Sequence, residues 1–461
     1  MPVPIPRRPA APISRLPVEL LSTIFLLTAH TPDQDTDEED QGSITPCLSL
    51  SSTTPDVLAA VCKHWREVAL GTPRLWTRIC VTIGDIVYSR RGEVFASAAR
   101  YAARSSKCAL DIFIDARDPE WDFSEHDPYI DDPYDYKHPF QPEHMRRILS
   151  ILLPHARRFR TLAVLTDRWE AMHTTLDCLS MEPAALVSGS RPLPPSLPLL
   201  ESLVLMRCNE FVSYHPDFTP AGRQDAPLPF SALLRQRGPA PVLPRLKTLV
   251  LSGVHTQWAL LPHLLPPPCP AASTGLETLE LSYHSASVRP TERELRALLT
   301  RCSAHLTALT VRVSGPRPSA CASPLPLPPV ALPALATLTL GYDDAHAAAV
   351  LVSALHAPHA TALALEDASC PAREDAEDAE PLLDALARVA GRAFPAVRAL
   401  AMRQVDAPAE AFEALYGALP ALRALAVEDM FLLGGAGLAR EVEVAFAPPA
   451  PPSLPSGRMA T

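Results

Sequence analysis

Cysteine, histidine and aspartate are where chemistry could begin in this chain. The ten cysteines (47, 62, 80, 108, 178, 208, 269, 302, 321 and 370) are never closer than 15 positions. Zinc ribbons and thioredoxin-type redox sites need two thiols within one tight turn, so neither has support. The cysteines sit in apolar contexts such as Val61-Cys62 and read as reduced core residues of a reducing compartment. His356 and His359 flank Pro358, which breaks the helix that would bring both imidazoles to one face; they read as loop residues. Asp127, Asp131, Asp132 and Asp135 could ligate calcium, but they lack the EF-hand spacing and its glycine. Gly434-Gly-Ala-Gly437 is followed by Arg440 where a dinucleotide fingerprint needs its third glycine, so it reads as a C-terminal loop. There is no HExxH, GxSxG or Walker A sequence. The residues therefore predict no catalytic site, no metal and no cofactor, and the chain is expected not to be an enzyme.

Surfaces are left to carry function, and composition says what kind of fold presents them. The chain has 461 residues, 47% of them hydrophobic, and a net charge of −10 from 41 Lys+Arg against 51 Asp+Glu. That balance disfavours general nucleic-acid binding. Proline is in excess, with 52 residues where roughly 5% of a chain is ordinary, while glycine numbers only 17. Such a composition disfavours long helices, many tight hairpins and glycine-rich phosphate loops. The prolines either mark disorder or punctuate a repeated unit.

Arg7-Arg8 and the uncharged run Leu20 to Ala29 imitate a signal peptide. Pro17 and Glu19 precede that run, however, and no small-residue cleavage site follows it. No later segment reaches the ~18 apolar residues a membrane span needs. A soluble intracellular protein, cytoplasmic and/or nuclear and not bound to membrane, is expected.

The elements that present a surface begin near the N-terminus. Pro17 suits a first helical position and Glu19 the positive end of the dipole. The segment 17–29 places Leu20, Ile24 and Leu27 on one face, with Leu21 and Phe25 beside them. A second helix is predicted from Thr54 as N-cap and Pro55 at its first position to Gly71, with Val57, Val61, Trp65 and Val68 as its stripe. Thr72-Pro73 opens a short turn carrying Leu75 and Trp76. Between the helices, the acidic stretch 33–40 within residues 31–52 reads as a solvated loop. Two short helices have more apolar surface than they can bury together, so they either cap the remaining chain or form a helix-in-groove docking surface.

The residues Ile13-Ser-Arg-Leu-Pro-Val-Glu-Leu-Leu-Ser-Thr-Ile-Phe25 and Val61-Cys-Lys-His-Trp-Arg-Glu-Val-Ala-Leu-Gly-Thr-Pro-Arg-Leu-Trp76 closely resemble the F-box in its fungal form. The match covers residues 13–80, with the acidic insertion between its halves and Val18 where a second Pro is common. The resemblance implies an adaptor that docks on a Skp-family protein and, through it, on a cullin-RING ubiquitin ligase. Carried over by position, Leu16, Pro17, Leu20, Leu21, Ile24 and Phe25 would form the first part of the docking surface. Val61, Cys62, Trp65 and Arg66 would complete it or hold its helices together. Catalysis would then reside in the partner ligase.

Further along, proline introduces a repeated phrase, Pro-x-apolar-x-x-Leu-x-apolar. Six copies begin at Pro198, Pro244, Pro333, Pro358, Pro395 and Pro420. Without the proline the core recurs at Leu276/Leu279/Leu281, Leu306/Leu309/Val311 and Phe159/Leu162/Val164. The central leucines 203, 249, 279, 309, 338, 363, 400 and 425 are 25 to 46 residues apart, room for a strand plus a helix each. Helices are predicted from the Thr291–Glu294 capping box onward, at 344–355, at 381–390 and at 408–416. This half resembles leucine-rich repeats. The family's Asn or Cys, eight places after the first Leu, survives only as Cys208; the other positions hold Val254, His284, Ser314, Asp343, Ala368, Val405 and Met430. A side-chain ladder at that turn is therefore expected to be mostly missing.

The expected fold is α/β, a small N-terminal helical F-box followed by an irregular leucine-rich-repeat solenoid. Residues 1–12 form a Pro-rich tail and 13–80 the F-box with its acidic loop at 31–52. First irregular repeats follow at 81–196, with strands near 105–116 and 159–166 and a surface loop at 118–140. The array occupies 197–445, and 446–461 form a second tail. The expected function is substrate recognition for a Skp–cullin–F-box ligase, the repeats binding a protein substrate through an extended strand face. The alternative is a leucine-rich scaffold whose N-terminal helices only cap the array.

Overall fold

The computed structural model describes residues 13, 16–30, 46–88, 94–118, 138–180, 197–207, 226–235, 241–268, 275–317, 328–369 and 378–428. The acidic run 33–40, most of the 118–140 loop with its four aspartates, Cys208, Met430, the Gly434–Gly437 segment and both terminal tails lie outside them.

Three helices open the fold: α1 (Val18–His30), α2 (Pro46–Val61) and α3 (Lys63–Leu70), followed by a 3-10 turn at Pro73–Trp76. The expected helix from Pro55 to Gly71 is two helices. The first begins earlier and holds Pro55 inside it, so residues 46–52 are helical rather than loop. The break falls at Cys62, whose extended backbone (φ −160°, ψ 171°) makes it the N-cap of α3.

The turn runs straight into β1 (Arg78–Thr82), the first strand of a parallel sheet. Short α4 (Gly84–Val87) and α5 (Ala96–Arg104) lead to β2 (Leu110–Asp115). Then α6 (Pro142–Leu152) leads to β3 (Phe159–Thr166), α7 (Trp169–Ser180) to β4 (Ser202–Arg207) and α8 (Ser231–Arg235) to β5 (Thr248–Ser252). A 3-10 turn at Leu261–Leu264 precedes β6 (Thr278–Ser282), and α9 (Glu292–Cys302) precedes β7 (Ala308–Arg312). The last four strands are β8 (Thr337–Tyr342), β9 (Ala362–Asp367), β10 (Ala399–Arg403) and β11 (Ala424–Glu428). Between them run α10 (Ala345–Ser353), α11 (Glu380–Ala393) and α12 (Ala409–Ala418). No described helix lies between β7 and β8; there, Val330–Ala331 pairs with Leu355–His356 in a small parallel bridge. No described helix is long and apolar enough to cross a membrane.

Spatial order equals chain order across all eleven strands, the topology of a solenoid whose units touch only their neighbours. The register explains the repeated phrase. Leu203, Leu249, Leu279, Leu309, Leu338, Leu363, Leu400 and Leu425 are successive partners in one ladder, and Leu162, Ile112 and Ile79 extend it to β1. A second ladder two residues on runs from Val81 through Ile114, Val164, Leu205, Leu251 and Leu281. Both point to the helices and are buried over most of their length, because side chains two apart share one face of a strand. The proline ends each preceding turn without removing a ladder hydrogen bond.

The turn closing the strands is built from unlike residues. Gly253, Tyr283, Val313 and Gln404 each follow a strand with φ between +47° and +61°. Glycine takes that conformation freely; the β-branched Val313 does not. Next to this row, where a side-chain ladder is expected to be mostly missing, other groups build part of one. The buried His284 ring donates Nε2–H to the Val254 carbonyl (3.0 Å) and sets Nδ1 2.8 Å from Ser314 Oγ, joining three successive repeats. Arg289 donates Nε–H to the His284 carbonyl (2.8 Å) and its terminal nitrogens to the Asp343 carboxylate. Burial pushes the His284 imidazole down to about 3.

Candidate functional site

The first surface to consider is the helical end. The spacing of Leu21, Phe25 and Ala29 puts one face of α1 into the core, and all three are at most 1% exposed. The Phe25 ring lies 4.9 Å from that of Trp65 on α3, tilted by 56°. On the opposite side of α1, Val18, Leu20, Ile24 and Leu27 face solvent at 41–59% exposure. On α2, Leu58 and Ala59 are buried while Val57 and Val61 are exposed. Two packed helices thus each turn a large apolar group outward, which an isolated soluble surface has no reason to do repeatedly.

The helices are held in place by groups with defined partners. Cys62 Sγ accepts the Trp65 backbone N–H at 3.4 Å, closing the first turn of α3. Arg66 donates its Nε–H to the Ala59 carbonyl at 2.9 Å, bridging the break between α2 and α3. Trp76, fully buried, donates Nε1–H to the Ala69 carbonyl at 2.8 Å and meets Tyr101 of α5 edge-on at 5.0 Å. Arg104 lies over the same indole at 4.3 Å. Asp56 of α2 accepts from Arg100 (3.1 Å), the Tyr101 hydroxyl (3.1 Å) and Arg104 (3.3 Å). Burial, with the Asp56 carboxylate second, raises the Tyr101 phenol well above its ordinary value. His30 donates a ring N–H to the Arg74 carbonyl (3.3 Å), and burial holds it below its usual range.

The carried-over positions therefore divide. Pro17, Leu20, Ile24, Val61 and Cys62 are exposed on the helical end, and Leu16 is half-buried beside them. Leu21 and Phe25 are not on the surface: their i, i+4 spacing sets them in the core, where they hold α1. Trp65 is half-buried against Phe25, and Arg66 is exposed but tied to Ala59. Missing from the expected set are Val57 and Leu27, both signalled by helical spacing from Val61 and Ile24, and Asp56, whose partners lie 44 to 48 residues away.

The second surface is the sheet face turned away from the helices. Its middle ladder runs Cys80, Phe113, Ala163, Val204, Val250, Glu280, Thr310, Thr339, Ala364, Ala401 and Ala426. Its first half is an apolar patch, with Phe113, Ala163, Leu165, Val204 and Val250 packed together; the rest is polar or small. A neighbouring ladder carries linked charges: Arg312 reaches Glu366 at 3.0 Å, and Arg403 lies 3.7 Å from both Glu366 and Glu428. Arg312 crosses β8 to do so, and Gly341 leaves the room, since a Cβ there would sit 2.8 Å from Arg312 Cγ. Among the described residues no group of three or more His, Cys, Asp or Glu side chains could hold a metal ion.

The F-box-like family model matches residues 13–82. No curated protein sequence matches the chain. Among solved structures, the crystal structure of the Rad7 and Elc1 complex in yeast aligns over 88% of this chain and 81% of that one, at 11% identity and a TM-score of 0.32; a likeness that low carries no inference. The family match ends inside the sheet, at the last residue of β1, so the expected boundary at residue 80 falls within a strand. Residues 13–82 are an F-box-like domain, and its final strand is the first of an eleven-strand parallel array.

Proposed function

We propose that this chain is a substrate receptor of a Skp–cullin–F-box type ubiquitin ligase, working as a non-catalytic adaptor. The observation that carries the reading is the outward apolar stripe of the F-box-like domain. Leu20, Ile24 and Leu27 of α1 and Val57 and Val61 of α2 are 41–60% exposed, while the opposite faces of both helices are buried. An apolar face rimmed by polar residues is what a partner helix or groove takes up. In this reading a Skp-family adaptor covers that stripe and joins the chain to a cullin, and the sheet face binds the protein substrate. The core runs without interruption from Leu21 and Phe25 into the array, and Asp56 ties α2 to α5, so the adaptor end and the sheet would move as one body.

Capture on an immobilised Skp-family adaptor tests the proposal. The wild-type chain is retained, and a Leu20→Asp, Ile24→Asp variant is not; equal retention removes the ligase reading. The scaffold reading, in which the helices only cap the array, draws on the same continuous core. It predicts that removing residues 1–80 leaves an aggregating remainder, and a soluble, folded 90–445 fragment would speak against it.

A further inference from the structure

The residue just before each strand forms a row of its own along the edge where the strands begin. From β4 to β11 it reads Glu201, Lys247, Glu277, Thr307, Ala336, Thr361, Arg398 and Arg423, and Arg160, the second residue of β3, heads the row. Backbone hydrogen bonds of 2.7–2.8 Å join its members, ending with Arg398 N–H to the Thr361 carbonyl and Arg423 N–H to the Arg398 carbonyl. The first four alternate in sign and are largely matched: Lys247 lies 3.7 Å from Glu201, and Arg160 pairs with Asp111. The last two break the pattern. Arg398 and Arg423 are both exposed, stand on adjacent strands at the ~4.8 Å sheet spacing, and have no ion-pair partner among the described residues. α11 ends toward the same edge and adds exposed Arg388 and Arg392, likewise without an ion pair.

Like charges set directly opposite one another on neighbouring strands oppose folding. The fold does not require arginine here, because Thr307, Ala336 and Thr361 fill the same position in the three preceding units. Beside the pair, the adjoining ladder holds only Ala399 and Ala424, neither of which can pair with a guanidinium. Arg403 is already engaged with Glu366 and Glu428. A chain of net charge −10 thus keeps exposed arginines along one edge of its last units, at the far end of the array from its F-box-like domain.

We infer that this edge binds an acidic segment of the protein substrate, an inference that rests on the receptor reading above and names its substrate class. Guanidinium forks take carboxylates bidentately, and exposed charges of this kind steer association and lose strength with salt. The test is fluorescence anisotropy of a labelled Glu/Gly peptide with the full-length chain, at low and at moderate salt. Binding that weakens steeply with salt in the wild type is expected, and about a tenfold or greater loss in R398Q/R423Q, with R388Q/R392Q intermediate. Matching circular dichroism melts show that the variants fold, and the wild-type salt series needs no variant. Equal affinity in wild type and R398Q/R423Q, no peptide binding at low salt, or tighter binding to a labelled DNA duplex or to phosphatidylserine vesicles than to the peptide would overturn the inference. Adaptor capture of the same samples is unchanged if the receptor reading holds; its failure would strike that reading and not the cationic edge.

Discussion

Acid should weaken this fold most through one buried ring, and the size of that effect can be worked out. His284 is buried between three repeats, donating to the Val254 carbonyl and facing Ser314 Oγ. Burial is the main cause of its depressed value, with His255, Arg289 and Arg207 adding repulsion, and together they bring it to about 3 from an ordinary 6.5. The sign follows from the two end states. Above about pH 6.5 the ring is neutral in both folded and unfolded chains, and its hydrogen bonds contribute in full. Below that, the unfolded chain takes up a proton the folded one refuses, so stability falls by about 1.4 kcal/mol per pH unit until the folded value is reached. Between about pH 6.5 and 4.5 this site costs on the order of 2 kcal/mol. The assay is urea unfolding across that range for the wild type and for His284→Gln, which keeps a donor but does not titrate. Subtraction removes the part due to His30, His144 and His155, whose values burial also lowers. The wild type's loss on acidification should exceed the variant's by about 2 kcal/mol; parallel pH profiles would refute the assignment of His284 as a buried neutral link.

Other consequences are simpler to state. Phe25→Ala removes a fully buried ring that meets Trp65 and should cost about 3–5 kcal/mol in unfolding free energy, whereas Leu20→Ala, on the exposed side of the same helix, should stay within about 0.5 kcal/mol. Asp343→Ala strands Arg289, whose side chain is 7% exposed, and should cost about 3–5 kcal/mol by chemical denaturation. Asp56→Asn loses ion pairs that are about half exposed and should change the melting free energy by no more than about 1 kcal/mol.

What was legible in the sequence was whatever a short spacing encodes. The phrase Pro-x-apolar-x-x-Leu-x-apolar placed six ladder leucines correctly, and its core without the proline placed Leu279 and Leu309, because a strand's period of two and its proline stop are both local. The two halves of the F-box motif were legible for the same reason. The strand Arg78–Thr82 was not: five residues directly behind a helical turn carry no proline and no repeat, and β1 exists because β2 pairs with it. The helix break at Cys62 depends on a thiol cap that propensity does not register. On α1 both faces are apolar, so periodicity could not say which one the core takes; packing against Trp65 decides that Leu21 and Phe25 go inside. The turn ladder is the clearest non-local case. Single-position comparison found Asn missing, but His284, Ser314, Arg289 and Asp343 rebuild the link from residues 30 to 54 apart.

The account stands most directly on the outward stripe of the F-box-like domain. The deciding measurement is capture of three chains on an immobilised Skp-family adaptor: the wild type, Leu20→Asp/Ile24→Asp, and the cationic-edge variant R398Q/R423Q. The prediction is that the first and third are retained equally and the second is lost, with melting temperatures unchanged. Retention of the second at the wild-type level, or failure of the folded wild type to bind, would contradict the central claim.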